Sequence, residues 1–127
     1  MPWQTIVHTD LPIIETTYSG RLTKNDLSDA VRENLSLAHT HNRTRFLGDC
    51  TNLNGGHTII DLYFLAKEVS REVSLNFGPY LLKEAILIPS IPSMIEKINF
   101  WETIGQNGGF RVRVFRERQS AIDWLLE

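Results

Sequence analysis

Apolar residues recur along this chain in two rhythms, and the switches between them mark its elements. Trp3–His8 and Ile13–Ser19 are rich in Ile, Val, Thr and Tyr, which predicts two strands. Thr9-Asp-Leu-Pro12 between them is turn material, so the pair reads as a hairpin. Gly20 breaks the second strand. Thr23-Lys-Asn-Asp26 then opens a helix as a capping-box variant, with Asp in place of the usual Glu. Leu22 and Leu27 sit where a hydrophobic staple needs them. Leu27, Val31, Leu35 and Ala38 keep one face apolar at helical spacing, and Asn42 is a reasonable stop.

The second half alternates in the same way. Arg45–Cys50 predicts a short strand, and Thr51–Gly56, a run of Asn and Gly, predicts a loop. His57 or Thr58 starts a second helix, Ile59 to about Leu75. Its apolar positions (Ile59, Ile60, Leu62, Tyr63, Phe64, Leu65, Ala66, Val69, Val73) exceed one narrow stripe near the start. That end is either deeply buried or touching a partner. Phe77-Gly-Pro79 marks a turn. Glu84-Ala-Ile-Leu-Ile88 is nearly continuous apolar sequence, as a central parallel strand requires. Ser90-Ile-Pro-Ser opens a third helix, with Pro92 in its first turn. Met94, Ile95, Ile98, Trp101 and Ile104 form its buried side, and Gly105–Gly109 closes it. Phe110–Phe115 is the last strand and Gln119–Leu126 the last helix. Strands alternating with helices after a hairpin predict a mostly parallel sheet with right-handed crossovers. In the last strand Phe110, Val112 and Val114 point one way and Arg111 and Arg113 the other, so one sheet face there meets water.

Composition narrows the class. The 127 residues, 42% hydrophobic, suit one domain spanning 1–127. A net charge of −2 gives the molecule no reason to seek nucleic acid or an acidic membrane surface, and makes a homodimer tolerable. The single cysteine, Cys50, excludes an intrachain disulfide and fits a reducing cytoplasm. No stretch approaches the ~20 apolar residues of a membrane span. The start lacks the basic and apolar regions of a signal peptide.

The layout resembles the SpoIIAA-like or STAS domains (sulfate-transporter and anti-sigma-factor-antagonist domains), in particular their stand-alone bacterial members, related in fold to SEC14-type lipid carriers. The resemblance spans nearly the whole chain. It rests on Gly20-Arg-Leu-Thr-Lys-Asn-Asp26, on Asp49-Cys-Thr51 ending the third strand, on Glu84–Ile88, and on Val114-Phe115 with Ala121 and Trp124-Leu125. It implies a five-stranded, mostly parallel sheet with an N-terminal antiparallel hairpin strand and four helices mainly on one face. In regulatory members a serine in an Asp-Ser-Ser-Gly loop is phosphorylated by a partner kinase. That stretch falls here at His57-Thr58-Ile59-Ile60, which puts Thr58 at the acceptor position. The preceding Asp and the following Ser-Gly are absent, so the resemblance supports the fold more than the switch.

The candidate chemistry is sparse. Thr58 suits a helix N-cap, and a phosphate there would meet the positive end of the helix dipole. The loop containing Asn54, Gly55 and Gly56 could cradle an anion, but lacks the Gly-Lys-Thr ending of a P-loop. Asp49 and Cys50 end a strand where ligands of open α/β sheets bind. Asp49 has no visible catalytic partner, and Cys50 would need His57 as its base. His39 and His41 share no helical face and have no Cys or carboxylate set beside them, so no metal is expected. His8 has no identifiable partner. Arg111, Arg113, Arg116 and Arg118 form a small basic patch without interleaved exposed aromatics.

These readings favour a non-enzymatic interaction or regulatory module. It would use no cofactor, form a homodimer and meet a protein partner through Asp49, Asn54, Gly55, Gly56, His57 and Thr58. The alternative is a carrier or sensor of a small hydrophobic or lipid ligand. Tyr63, Phe64, Phe100 and Trp101 would then line a cleft or dimer surface. Because Phe100 and Trp101 adjoin, one of the two lies off the core stripe.

Overall fold

A computed structural model describes residues 2–78 and 80–127. Residue 79 of the predicted Phe77-Gly-Pro79 turn lies outside them. The elements run β1 (Trp3–Val7), β2 (Ile14–Arg21), α1 (Lys24–His41), β3 (Arg45–Gly55), α2 (Ile59–Asn76), β4 (Lys83–Leu87), α3 (Pro92–Asn107), β5 (Arg111–Phe115) and α4 (Arg118–Leu125). The five strands lie side by side in chain order. β1 and β2 are antiparallel, and every later pair is parallel. This is the mixed sheet that the alternation of rhythms predicts.

Each crossover through α1, α2 and α3 steps one strand further in the same direction. Crossovers of one hand that advance one way keep their helices on one side. Those three helices accordingly share a core with Ile14, Phe46, Cys50, Ile86 and Val112 of the sheet. α4 follows the last strand and crosses nothing, so it is free to cover the other face. There Ala121 and Leu125 pack on Ile13, Leu47, Ala85 and Leu87. Carbonyls of its last turn accept from sheet cations: Arg45 Nε to Leu125 O at 2.6 Å, and Lys83 Nζ to Trp124 O at 2.6 Å. The rest of that face is open, and Arg111 and Arg113 point into solvent.

The predicted capping box at Thr23 forms, and the predicted Thr58 cap proves to be a second box. Thr23 and Asp26 exchange side-chain and backbone bonds at the start of α1, and Thr58 and Asp61 do so at α2. The third helix needs no side-chain cap, because Pro92 occupies its first turn.

One expectation fails. Thr51–Gly56 is not a free loop, because β3 continues through Gly55. Ser19, Gly20 and Arg21 of β2 pair with Asn52, Leu53 and Gly55, with irregular register around Tyr18 and at Gly20. A waiting strand partner outweighs the turn preference of Asn and Gly.

Candidate functional site

The extension of β3 separates residues that the sequence placed together. Asp49 lies in mid-strand on the α4 side of the sheet. Its carboxylate accepts from Thr51 N (3.1 Å) and Thr51 Oγ1 (2.6 Å). Thr58 stands beyond the strand's end at the start of α2. The structure does not bring the two together. Asn54 is exposed on the extension, and Gly55 is buried beside Arg21.

At the turn into α2 the backbone is tightly held. Gly56 has φ +99°, and a Cβ there would lie 2.5 Å from Leu22 O, so only glycine permits the approach. His57 is buried. Its Nδ1 lies 3.0 Å from Leu22 O and carries the hydrogen of that bond, while Lys97 donates to His57 O at 2.7 Å. Burial lowers the pKa of His57. The Thr58 hydroxyl accepts from Asp61 N at 3.1 Å, and the Asp61 carboxylate accepts from Thr58 N at 2.9 Å. A carboxylate thus flanks the position the resemblance assigns to a phospho-acceptor.

The crowded start of α2 divides cleanly. Leu62, Leu65, Ala66, Val69 and Val73 are buried against the sheet and α3. Ile60 is left 66% exposed, Phe64 50% and Tyr63 43%, with Ile59 beside them. The Tyr63 and Phe64 rings meet edge to face at 5.6 Å. Lys24 of α1 stands over Phe64 at 5.5 Å and Lys67 over Tyr63 at 5.2 Å. The result is an apolar patch with a cationic rim. Of the second predicted pair, Phe100 is half-buried against the core, and Trp101 is inside it at 8% exposure. Trp101 is therefore no surface residue. The doublet resolves with tryptophan inward, because β4 offers its indole N–H a partner.

That partner is the feature the sequence reading missed. Glu84 of β4 faces the helix layer, and Trp101 Nε1 donates to its Oε1 at 2.8 Å. No other side chain among the described residues hydrogen-bonds it. Burial pushes the Glu84 carboxyl above its ordinary value, against the opposing pull of the Trp101 bond. Glu84, Tyr18, Val31 and Trp101 are common walls of two cavities of ≈ 50 and ≈ 60 Å³. Phe46 and Phe110 border the first; Gly48, Cys50 and His57 border the second. Above the first lies an open groove of ≈ 610 Å³ between α1 and α2. Val31, Leu35 and Val69 belong to both, so one apolar layer separates groove from cavity. Arg32, His39, Glu68 and Arg71 stand among the polar residues of the groove. The available signal was a charged residue opening an otherwise apolar central strand.

Cys50 and His57 border the same cavity but do not hydrogen-bond each other. Burial drives the Cys50 thiol far above its ordinary value, with Glu84 and Asp49 adding to the shift. A thiolate nucleophile needs the opposite environment.

On the other face His8 does have a partner. Its Nε2 lies 2.8 Å from Glu15 Oε1, and Arg118 reaches both Glu15 oxygens at 2.6 and 2.7 Å. The Arg118 bonds hold Glu15 below the usual carboxylate range despite burial, and His8 contributes. Arg118 thereby leaves the predicted basic patch and becomes a clamp.

No protein-family model and no curated protein matches the chain. Among solved structures it is similar to an uncharacterized protein of the DUF3478 family with a SpoIIAA-like fold, from Shewanella loihica PV-4. The match covers 97% of this chain and 91% of that one, with a TM-score of 0.60 and 17% identity. The chain has the SpoIIAA-like fold. No helix among the described residues is long and apolar enough to cross a membrane.

Proposed function

We propose that this protein is a non-enzymatic interaction module that docks a protein partner on the exposed start of α2. The observation that supports this is the Ile59, Ile60, Tyr63 and Phe64 cluster, whose side chains stand in water at the end of a helix otherwise packed by its opposite face. Large apolar side chains gathered on one exposed helix turn are typical of contact surfaces. The Lys24 and Lys67 rim suits a partner with an apolar centre and acidic edges. A second copy of this chain, forming a homodimer, is the other occupant to test. Ile60→Glu with Phe64→Ser, both at exposed positions, should leave thermal stability within about 0.5 kcal/mol. The same double variant should abolish association in sedimentation or pull-down from the native host. Association that survives the double variant would remove this reading. Thr58→Glu would place a second carboxylate beside Asp61, and should weaken docking if Thr58 is a phospho-acceptor.

A second reading is the binding of a small hydrophobic or lipid ligand. It is favoured by the α1–α2 groove, whose aliphatic floor lies directly over the Glu84 cavities.

A further inference from the structure

The Glu84 cavities combine four features. They contain a carboxyl with one donor. Their walls are mostly apolar, with Asn34 and Lys83 at the first and the Leu22-bonded His57 at the second. Tyr18, Phe46, Trp101 and Phe110 put four aromatic rings around the first of them. They also lack a cation. Lys83 borders the first cavity, but its ammonium turns to the opposite sheet face, where it donates to Trp124 O and sits 4.5 Å from that ring's centroid. The neighbouring amide, Asn34, has both polar atoms engaged, with Oδ1 accepting from Thr16 and Nδ2 donating to Ala30 O. Glu84 Oε2, by contrast, lies 3.9 Å from where a Cβ on Gly48 would sit, and that Cβ would clash with nothing. Glycine is not forced at this point of the sheet, and its missing side chain leaves the space open.

Charge decides which ligand fits. An anion would meet a carboxyl with no compensating cation. A purely apolar ligand would cover the partly exposed Glu84 carboxyl and give Oε2 no partner, which is costly. An ammonium group would gain a charge-assisted bond to Glu84 and the faces of the surrounding rings.

We infer that the Glu84 cavities recognise a small organic cation: a primary alkylamine whose ammonium pairs with Glu84 and whose chain lies along Val31, Leu35 and Val69 toward the α1–α2 groove. This deepens the small-ligand reading and rests on it. Each cavity is well below the roughly 150 Å³ that holds benzene, so a short chain fits best.

The test uses n-butylammonium against its uncharged counterpart 1-butanol, titrated into the whole protein by ligand-observed NMR. The amine should bind at least about tenfold more tightly than the alcohol. Glu84→Gln keeps an oxygen for the Trp101 N–H. It should cost the amine about tenfold and leave the alcohol within about twofold. Glu84→Leu serves as a second variant with the same expected selectivity. Gly48→Ala, which fills part of the space, should weaken both probes. Equal binding of amine and alcohol, or amine binding unmoved by both Glu84 variants, overturns the amine class and leaves a ligand site standing. Binding of neither probe overturns the inference and the small-ligand reading together.

Discussion

Two glutamates on opposite faces of one sheet show how differently a fold can treat an acid drawn out of water. Glu15 on β2 is clamped by Arg118 from α4 and touched by His8 from β1. Glu84 on β4 has one indole N–H and two cavities. The first is held below the usual carboxylate range by its cation, and the second is pushed above it by burial. A buried charge with a partner tethers elements together. A partly buried acid without a cation remains available to whatever enters beside it.

The contrast has consequences of graded size. The largest lies at Arg118. Arg118→Ala would strand Glu15, whose side chain is only 9% exposed. Stranding a fully buried charge costs about 3–5 kcal/mol. Arg118 itself is 48% exposed and His8 remains, so about 2 kcal/mol is expected in urea unfolding. A cost near zero would mean that the clamp does not hold α4.

Glu84→Gln should matter less, within about 1 kcal/mol, because the amide oxygen still accepts from Trp101 and the carboxyl's desolvation is removed. A loss as large as at Arg118 would make Glu84 as structural as Glu15 and erase the distinction.

The smallest effect is on the pH dependence of stability, and its sign differs between the two sites. Glu15 has a lowered folded pKa. Its contribution is present above the ordinary value of 4.5 and is lost as acid protonates the folded state below it. Glu84 has a raised folded pKa. Its carboxyl is better tolerated when protonated, so stability falls as pH rises from 4.5 toward the folded value. Glu15→Gln should therefore flatten the acid limb of the stability profile, and Glu84→Gln should remove a decline above it. Calorimetric profiles with the two effects interchanged would reverse the assignment.

Sequence reasoning reached these sites unevenly. The strands, the Thr23–Asp26 capping box, the Thr58 cap and the α2 apolar surplus are local patterns, and the folded chain reproduces them. The strand extension to Gly55 was hidden because Asn52-Leu-Asn-Gly55 carries turn residues, and only the partner strand β2 overrides them. In the hairpin Glu15 lies opposite Ile6, and His8, two residues on, reaches it diagonally on the same face, a contact that depends on the exact register. Arg118 is far away in sequence and gives no such signal. Glu84 was read as the first residue of an apolar strand. What meets its carboxyl is set by the packing of Trp101 and by the space beside Gly48, neither of which is local in sequence.

The most direct test of the contrast is a carbon-13 NMR titration of the side-chain carboxyls, assigned with Glu15→Gln and Glu84→Gln, in the free protein and with n-butylammonium. Glu84 should titrate above the ordinary carboxylate value and Glu15 below it, and the amine should move only Glu84, downward. If both groups titrate on the same side of the ordinary value, or the amine leaves Glu84 unmoved, Glu84 is not an acid waiting for a cation.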